Sequence, residues 1–209
     1  MIRKKRLTES ITEIETPYKE QIFRAFLVRT PTGNILVDSC LEDDDKSFAS
    51  LASGLGLKMI VLTNHHRDHV GALEAVVQES PHIEVAAHRE DADKMPVTVS
   101  VLLDDGDLIE DTLRVIHVPG HTAGSISLYH EDEKVLLTGD AVFGVGGYEK
   151  TLSFPPGIYS EDPQRARESV RNLLKYPFEK AFLSHGDHLE KDAYDRIKNL
   201  LNKEERPRK

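Results

Sequence analysis

The sequence of 209 residues contains a single cysteine, Cys40, and no apolar run long enough to cross a membrane. One cysteine cannot form a disulfide within its own chain, so nothing in the sequence requires an oxidising compartment. The basic run Arg3–Arg6 continues into polar residues, whereas a signal peptide needs an apolar stretch of about 7 to 15 residues. We therefore expect a cytoplasmic protein.

Low-complexity linkers and short-period repeats are also absent, which favours one continuous domain over residues 1–209. The chain carries 36 acidic and 27 basic residues, a formal net charge of −9. This acidity disfavours binding to a phosphate backbone. We expect a small-molecule substrate, with neither nucleic acid nor a membrane as partner, and a homodimer is left open.

Two common motifs of catalysis and nucleotide binding are missing. No Gly-x-Ser-x-Gly elbow is present, which disfavours a Ser-His-Asp hydrolase. The glycine-rich stretch 143–148 lacks both the Lys-Ser/Thr ending of a P-loop and the spacing of a dinucleotide fingerprint. Together with the irregular segment up to Tyr159, it is expected to line a substrate pocket or to pack against the core.

Hydrophobic periodicity predicts an α/β protein. A hairpin is indicated by β-forming residues at 21–28 and 35–38 around turn residues at 31–34, and a meander of short strands is predicted over 97–142. Further strands are predicted to end at Thr63, Ala87 and Ser184. Helices are predicted at residues 44–54, 70–79, 162–175 and 190–202. Two halves that each end in helices suggest an αββα sandwich, with two mixed sheets flanked by helices.

Candidate metal ligands are distributed unevenly along this pattern. His66, Asp68 and His69 lie within four residues, directly after a predicted strand. Three more candidates each follow a predicted strand or lie in its turn: His121, Asp140 and His185. Imidazole and carboxylate together suit zinc, and also iron or manganese. We therefore predict a site for one or two metal ions.

Taken in order, these residues resemble the motif of the metallo-β-lactamase superfamily, particularly its glyoxalase-II-like hydrolase branch. The family pattern reads His-x-His-x-Asp-His, then His in a Pro-Gly-His-Thr turn, Asp in a Gly-Asp turn, and a late His. The resemblance covers nearly the whole chain and implies the αββα sandwich of that family. It implies three sets of ligands: His66 and His121 for one metal, Asp68, His69 and His185 for a second, and Asp140 as a bridge.

The first histidine of the motif is replaced by Asn64 in this chain. An amide oxygen is a weaker, neutral ligand than imidazole for zinc, so the number of ions is left open. We expect Asn64 to coordinate weakly or to hydrogen-bond the metal-bound water, and we expect His65 to turn away. Asp38, at the end of an apolar strand, is expected either to accept a hydrogen bond from a ligand histidine or to cap the strand.

The resemblance implies a metal-dependent hydrolase in which metal-bound hydroxide attacks a small ester, thioester or related substrate. Asp68 would orient the water and move its proton. Glyoxalase II carries a further C-terminal helical domain, so a thioesterase or esterase with a smaller substrate is preferred for this chain. The alternatives are a mononuclear iron persulfide dioxygenase, against which Asn64 argues, and a non-hydrolytic metal-binding protein. The remaining histidines at 82, 88, 130 and 188 are assigned no role.

Overall fold

The computed structural model describes residues 2–19, 21–41, 45–145 and 151–204. The predicted helix start at Asp44 and residues 146–150 of the glycine-rich stretch lie outside these ranges. In the described ranges, no helix combines the length and apolar character needed to span a membrane. The chain forms two compact units, residues 1–103 and 104–209, which are described in turn. The single domain over 1–209 stays a prediction.

Unit 1 is built on a seven-stranded mixed sheet whose spatial order follows the chain. Its strands are β1 (Arg3–Arg6), β2 (Ile11–Tyr18), β3 (Gln21–Thr30), β4 (Gly33–Val37), β5 (Leu57–Leu62), β6 (Glu84–His88) and β7 (Val101–Leu103). Strands β1 to β4 pair antiparallel through short connections, and β4 to β7 pair parallel. The carboxyl ends of the parallel strands therefore share one edge of the sheet, from which the loops that follow them emerge.

Two of the three connections between the parallel strands contain α-helices, the usual crossover for this geometry. Helix α1 (Asp45–Ser53) joins β4 to β5, and α2 (Arg67–Val70) with α3 (Leu73–Glu79) joins β5 to β6. The sequence predicts one helix over 70–79, but the chain forms two. The N–H of Gly71 donates to the carbonyl oxygen of Cys40 at 2.8 Å, outside the helix, which interrupts the helical ladder at this point.

Two further expectations for unit 1 need correction. Strands β1 and β2 precede the predicted start of the sheet, and β2 lacks simple apolar alternation because Glu13 is buried within it, where Arg24 lies 2.6 Å from its carboxylate. The predicted meander over 97–142 is wrong at its start, since β7 pairs parallel with β6 (Ala86 opposite Val101). Residues 89–100 connect these two strands. The connection contains only a short 3-10 turn, so its sequence shows no helical periodicity that would indicate a crossover.

Unit 2 holds a five-stranded mixed sheet and a separate hairpin. Its strands are β8 (Leu108–Ile109), β9 (Leu113–His117), β10 (Ile126–His130), β11 (Val135–Leu137), β12 (Phe143–Val145), β13 (Thr151–Ser153) and β14 (Lys180–Phe182). Strands β8 to β11 form the predicted antiparallel meander. β14 joins the sheet beside β11 in parallel, and β12 and β13 make the hairpin.

Two helices accompany the sheet of unit 2, α4 (Pro163–Ser169) and α5 (Ala193–Glu204). The carboxylate of Asp162 accepts the N–H of Arg165 at 2.9 Å and caps α4, and Pro163 occupies the first turn, where its missing N–H is harmless. The predicted helix 162–175 continues beyond Ser169 as a 3-10 helix, Val170–Lys175. Each unit has its own apolar core, and these cores hold the strand ends that carry the candidate ligands.

Candidate metal centre

In unit 1 the candidate ligands lie on the unit 1 loop, residues 63–70, which follows β5 and ends in the short helix α2. Residues 59–62 of this strand are buried, so the position of the loop is fixed at its start. β4 ends beside it, and the N–H of Asp38 donates to the carbonyl oxygen of Val61 at 3.0 Å. Because the two strands are parallel, Asp38 reaches the same edge of the sheet as Thr63 and the residues after it.

The carboxylate of Asp38 organises this edge. Its Oδ1 accepts the N–H of Thr63 at 2.9 Å, and its Oδ2 lies 2.8 Å from the Thr63 hydroxyl and 2.8 Å from Nδ1 of His69. All three residues are buried, and Asp38 adopts a left-handed backbone conformation (φ 63°) that aspartate tolerates better than most residues. Of the two roles expected for Asp38, it therefore takes that of an acceptor for a candidate ligand.

This contact determines which nitrogen of His69 can face a metal. A carboxylate opposite Nδ1 keeps the proton on Nδ1, so the lone pair is on Nε2. The Nε2 atom lies 3.8 Å from Oδ2 of Asp68, the neighbouring candidate on the same loop. The structure thus brings two of the three predicted unit 1 ligands, Asp68 and His69, to one point. His66, the third, is half-buried two residues earlier.

Asn64 is oriented by the backbone of its own loop. Its Oδ1 accepts the N–H of His66 at 2.8 Å. Its Nδ2 is buried and has no hydrogen-bond partner among the described residues, and the residue as a whole is 1% exposed. A buried donor without an acceptor costs about 1 to 3 kcal/mol, so this nitrogen requires an explanation.

The other unit 1 groups near this loop have separate partners. Nδ1 of His65 lies 3.1 Å from the buried carboxylate of Asp91, and its ring packs edge-on against that of His66.

Burial raises the pKa of the Cys40 thiol to about 12. The thiol therefore stays protonated at neutral pH.

In unit 2 the carboxylate of Asp140 lies between two candidate histidines. Its Oδ2 is 2.9 Å from Nε2 of His121, and its Oδ1 is 3.5 Å from Nε2 of His185. Asp140 and His121 are buried, and His185 is partly exposed. The three predicted ligands of this unit, which follow three different strands, are therefore brought together by the fold, and Asp140 offers one oxygen to each histidine.

His121 is held by the segment that leads into α4. The Ser160 hydroxyl lies 3.3 Å from its Nδ1, and the backbone N–H of Glu161 donates to its carbonyl oxygen at 3.0 Å. Gly120 (φ 127°) packs so closely on the backbone of Ala166 that a side chain there would overlap it. The sequence analysis did not identify Ser160, since no motif links it to His121.

His185 is held by backbone packing between Gly186 and the β12 strand. Gly144 donates its N–H to the carbonyl oxygen of His185 at 2.9 Å. A Cβ atom on Gly186 (φ 83°) would overlap the Gly144 carbonyl, and one on Gly144 would lie 2.6 Å from the nitrogen of Asp187. The ring of Phe143 lies 4.7 Å from that of His185, centre to centre. The start of the glycine-rich stretch thus contacts a candidate ligand directly.

Four further histidines have partners within their own segments of the chain. His188 accepts the N–H of Leu183 through Nδ1 at 3.0 Å, and Nδ1 of His130 accepts the N–H of Glu133 at 3.4 Å. Nδ1 of His88 accepts the N–H of Glu90 at 3.3 Å, and Nε2 of His117 lies 2.9 Å from the carbonyl oxygen of Ala123. These contacts are local, since each joins residues at most six positions apart in the chain.

The candidate ligands fit a divalent metal ion. Zinc bonds to histidine nitrogen and carboxylate oxygen measure about 2.0 to 2.2 Å, so two ligand atoms on one ion lie at most about 4.4 Å apart. The separations of 2.9 and 3.5 Å in unit 2 and of 3.8 Å in unit 1 are below that limit. Imidazole nitrogen and carboxylate oxygen form a donor set that zinc, iron and manganese accept.

A family model described as the Metallo-beta-lactamase superfamily matches residues 24–185, most of the chain. The chain belongs to this superfamily, whose members bind one or two metal ions, and each of its units carries candidate ligands.

Among curated relatives, the hydroxyacylglutathione hydrolase of Aeromonas salmonicida (strain A449) is 39% identical over 129 residues, which cover 60% of this chain and 46% of the relative. That of Vibrio campbellii (strain ATCC BAA-1116) is 32% identical over 138 residues, 64% of this chain and 50% of the relative. The predicted resemblance to glyoxalase-II-like hydrolases is confirmed. The chain spans about half the length of these relatives.

Solved structures show the same fold. A metallo-beta-lactamase from Pontibacter korlensis has a TM-score of 0.75 at 19% identity, covering 97% of this chain and 99% of that one. The protein TTHA1623, crystallised in a di-iron-bound form, has a TM-score of 0.67 at 25% identity, covering 83% of this chain and 92% of its own. The predicted fold class, an α/β metallo-beta-lactamase fold with mixed sheets and flanking helices, is confirmed.

Proposed function

We propose that this chain is a metal-dependent hydrolase that cleaves a small thioester or ester. The observation that carries the proposal is the Asp140 carboxylate, which faces His121 with one oxygen and His185 with the other. The proposed ligands of one or two divalent ions are the six residues in the order of the family motif: His66, Asp68, His69, His121, Asp140 and His185.

A bound divalent ion would supply hydrolytic power by lowering the pKa of a water molecule toward neutrality and by polarising the scissile carbonyl. The residues of the chain have distinct tasks beside it. Asp68, partly exposed on the unit 1 loop, orients the attacking water and takes its proton. Asp38 holds His69 with Nε2 toward Asp68, and Ser160 lies against Nδ1 of His121.

A thioester is the substrate class that the curated relatives favour. Their printed names give hydrolases of hydroxyacylglutathione, a thioester, and they are 39% and 32% identical to this chain over the matched regions. Because those matches cover only about half of each relative, glutathione recognition does not follow from them. We propose an acyl thioester with a smaller thiol part, and ester hydrolysis as a secondary activity.

The proposed metal is zinc, with iron or manganese as the alternatives. Histidine and carboxylate ligands accept all three, and the di-iron form of TTHA1623 supports iron in particular. Elemental mass spectrometry of protein purified without chelator would measure identity and stoichiometry. Removal of the metal by dipicolinate should abolish hydrolysis, and one of the three ions should restore it. Hydrolysis that survives complete metal removal would contradict the proposal.

The substrate class is tested with a matched panel of acyl thioesters, p-nitrophenyl esters and phosphoesters. We expect the highest kcat/KM for thioesters. Turnover of phosphoesters alone would overturn the thioester assignment while preserving a metal-dependent hydrolase. Oxygen uptake with a persulfide would instead indicate the dioxygenase, and bound metal without any turnover would indicate a metal-binding protein; the hydrolase names of the relatives favour neither.

Asp68→Asn tests the proton-transfer role within this site. The amide cannot take a proton from water, so kcat should fall by about 100-fold or more. Asp93→Asn is the matched control, because Asp93 is exposed in the same unit and belongs to no candidate site. Equal activities of the two variants would exclude Asp68 from the mechanism. A small-molecule substrate, a cytoplasmic location and the absence of nucleic acid and membrane partners stay predictions.

A further inference from the structure

Asn64 stands where the family motif has its first metal-binding histidine, and its side chain has two ends with different surroundings. The Oδ1 end accepts the N–H of His66 at 2.8 Å. The Nδ2 end is buried and has no partner among the described residues. The buried Nδ2 therefore lacks the acceptor that a buried donor requires.

The orientation of the amide follows from its hydrogen bonds. The N–H of His66 is a donor and requires an acceptor, which only Oδ1 provides. If the amide were rotated by 180°, Nδ2 would face that N–H, and two donors would oppose each other inside the protein. The hydrogen bond therefore fixes Oδ1 toward the backbone of His66, and Nδ2 is the end that faces away from it.

A primary amide nitrogen cannot act as the histidine of the motif does. It has no lone pair available for a metal, and its N–H groups present positive charge, which a cation repels. Its natural partner is an oxygen that carries or develops negative charge. Because buried donors in native proteins are nearly always paired, a ligand oxygen is the partner that the described protein atoms do not supply.

We propose that Asn64 donates a hydrogen bond through Nδ2 to the carbonyl oxygen of the bound thioester or ester and does not ligate a metal. This inference rests on the proposed hydrolase function, in which that oxygen gains negative charge as water attacks. A fixed donor at such an oxygen stabilises the transition state more than the bound substrate. Asn64 is then a catalytic residue that replaces a ligand of the family motif.

Two substitutions distinguish a hydrogen-bond donor from a metal ligand at position 64. Asn64→Asp keeps an oxygen for the His66 N–H but replaces the donor with a second acceptor, so kcat should fall by about 100-fold with a smaller change in KM. Asn64→Ala removes both ends, and a donor role predicts a zinc affinity within about threefold of the parent. Zinc affinity is measured by competition with a chromophoric chelator, and circular dichroism checks the fold.

The ligand hypothesis predicts the opposite results. A carboxylate at position 64 is a better metal ligand than an amide, so Asn64→Asp would keep or raise kcat, and Asn64→Ala would lose zinc affinity by tenfold or more. Either of these results overturns the inference. If the parent hydrolyses no ester or thioester, the hydrolase proposal fails, and the zinc affinity of Asn64→Ala still decides whether Asn64 is a ligand.

Asn34→Asp is the matched control for the charge change. Asn34 lies in the same unit, and its Nδ2 already donates to the carbonyl oxygen of Leu55 at 2.6 Å, so it has a structural partner. This variant should lose stability but keep the kcat of the folded enzyme. A kcat loss equal to that of Asn64→Asp would show that added negative charge in unit 1, and not the lost donor, lowers the rate, which would overturn the inference.

Discussion

The two units hold their candidate ligands in different ways. In unit 1, residues 66–69 lie on one short loop after β5, and His69 is oriented by hydrogen bonds to buried side chains. In unit 2, His121, Asp140 and His185 follow three separate strands, and close backbone contacts hold the loops of both histidines. A single loop can be ordered by a few polar contacts, whereas separate loops must be fixed against their neighbours one by one.

This difference predicts that the loops of unit 2 are sensitive to added volume. Gly186→Ala should be strongly destabilising, because it combines a left-handed φ of 83° with overlap on the Gly144 carbonyl. The conformational part costs about 1 to 2 kcal/mol, and the overlap adds about 1 to 3 kcal/mol. Urea unfolding would measure the loss, and metal content would report the displacement of His185.

Gly106→Ala is the control for this prediction. Gly106 lies in the same unit with a nearly identical φ of 87°, but a Cβ there would meet nothing within 4 Å. It should show only the conformational part, about 1 to 2 kcal/mol, with normal metal content. Equal losses for the two variants would show that the Gly144 contact does not hold His185 in place.

In unit 1 the corresponding sensitive feature is the polar contact between Asp38 and His69. Asp38→Asn keeps the shape of the side chain but places an amide N–H opposite Nδ1 of His69, which favours the tautomer with its proton on Nε2. That tautomer cannot bind a metal through Nε2, so metal affinity should fall by about 10- to 100-fold. Chelator competition measures this change, and histidine NMR shifts report the tautomer.

Ser160→Ala is the counterpart of this change in unit 2. The Ser160 hydroxyl is 3.3 Å from Nδ1 of His121, a longer and neutral contact, and backbone hydrogen bonds also hold the loop. Neutral hydrogen bonds contribute about 1 kcal/mol, so metal affinity should fall by less than about tenfold. If Ser160→Ala lowered metal affinity more than Asp38→Asn, side-chain contacts would be the main support of the candidate ligands in both units. The contrast between the two units would then be lost.

The sequence points to candidate ligands more readily than to the residues that support them. The candidate ligands are reactive residue types at strand ends in a recognisable order, which a linear pattern reveals, and their binding of metal stays a prediction. Ser160 could not be found in this way, because it lies far from His121 in the chain and serine at a turn is commonplace. Asp38 was singled out, but the choice between acceptor and cap required the 2.8 Å contact with His69.

In the fold, too, local sequence patterns predict some elements and miss others. Helix α1, the end of β5 and the strands β9, β10 and β11 within the predicted meander were predicted well, because these strands are short runs of mostly apolar residues and α1 is followed by Gly54. Strand β2 was missed because a buried ion pair replaces an apolar residue, and β7 was placed with the wrong partners because strand pairing is not encoded locally. Tertiary contacts decide such cases, and no local pattern contains them.

An effect confined to alkaline pH is expected in the segment that supports the unit 1 loop. Ser39 donates to the carbonyl oxygen of His69, and the backbone carbonyl of Cys40 accepts the N–H of Gly71. The Cys40 thiol is buried within this supporting segment. Burial raises the pKa of the Cys40 thiol from 9.0 to about 12. The unfolded chain thus loses this proton at lower pH than the folded chain. The contribution of the buried thiol to the free energy of unfolding is complete below pH 9 and falls as the pH rises toward 12.

The free energy of unfolding should fall by about 1.4 kcal/mol at pH 10 through this thiol. Urea unfolding of the parent and of Cys40→Ala over this pH range measures the fall as the difference between their pH profiles. Parallel pH profiles for the two proteins would mean that water reaches Cys40, and that the support of unit 1 is less tightly packed than its hydrogen bonds indicate.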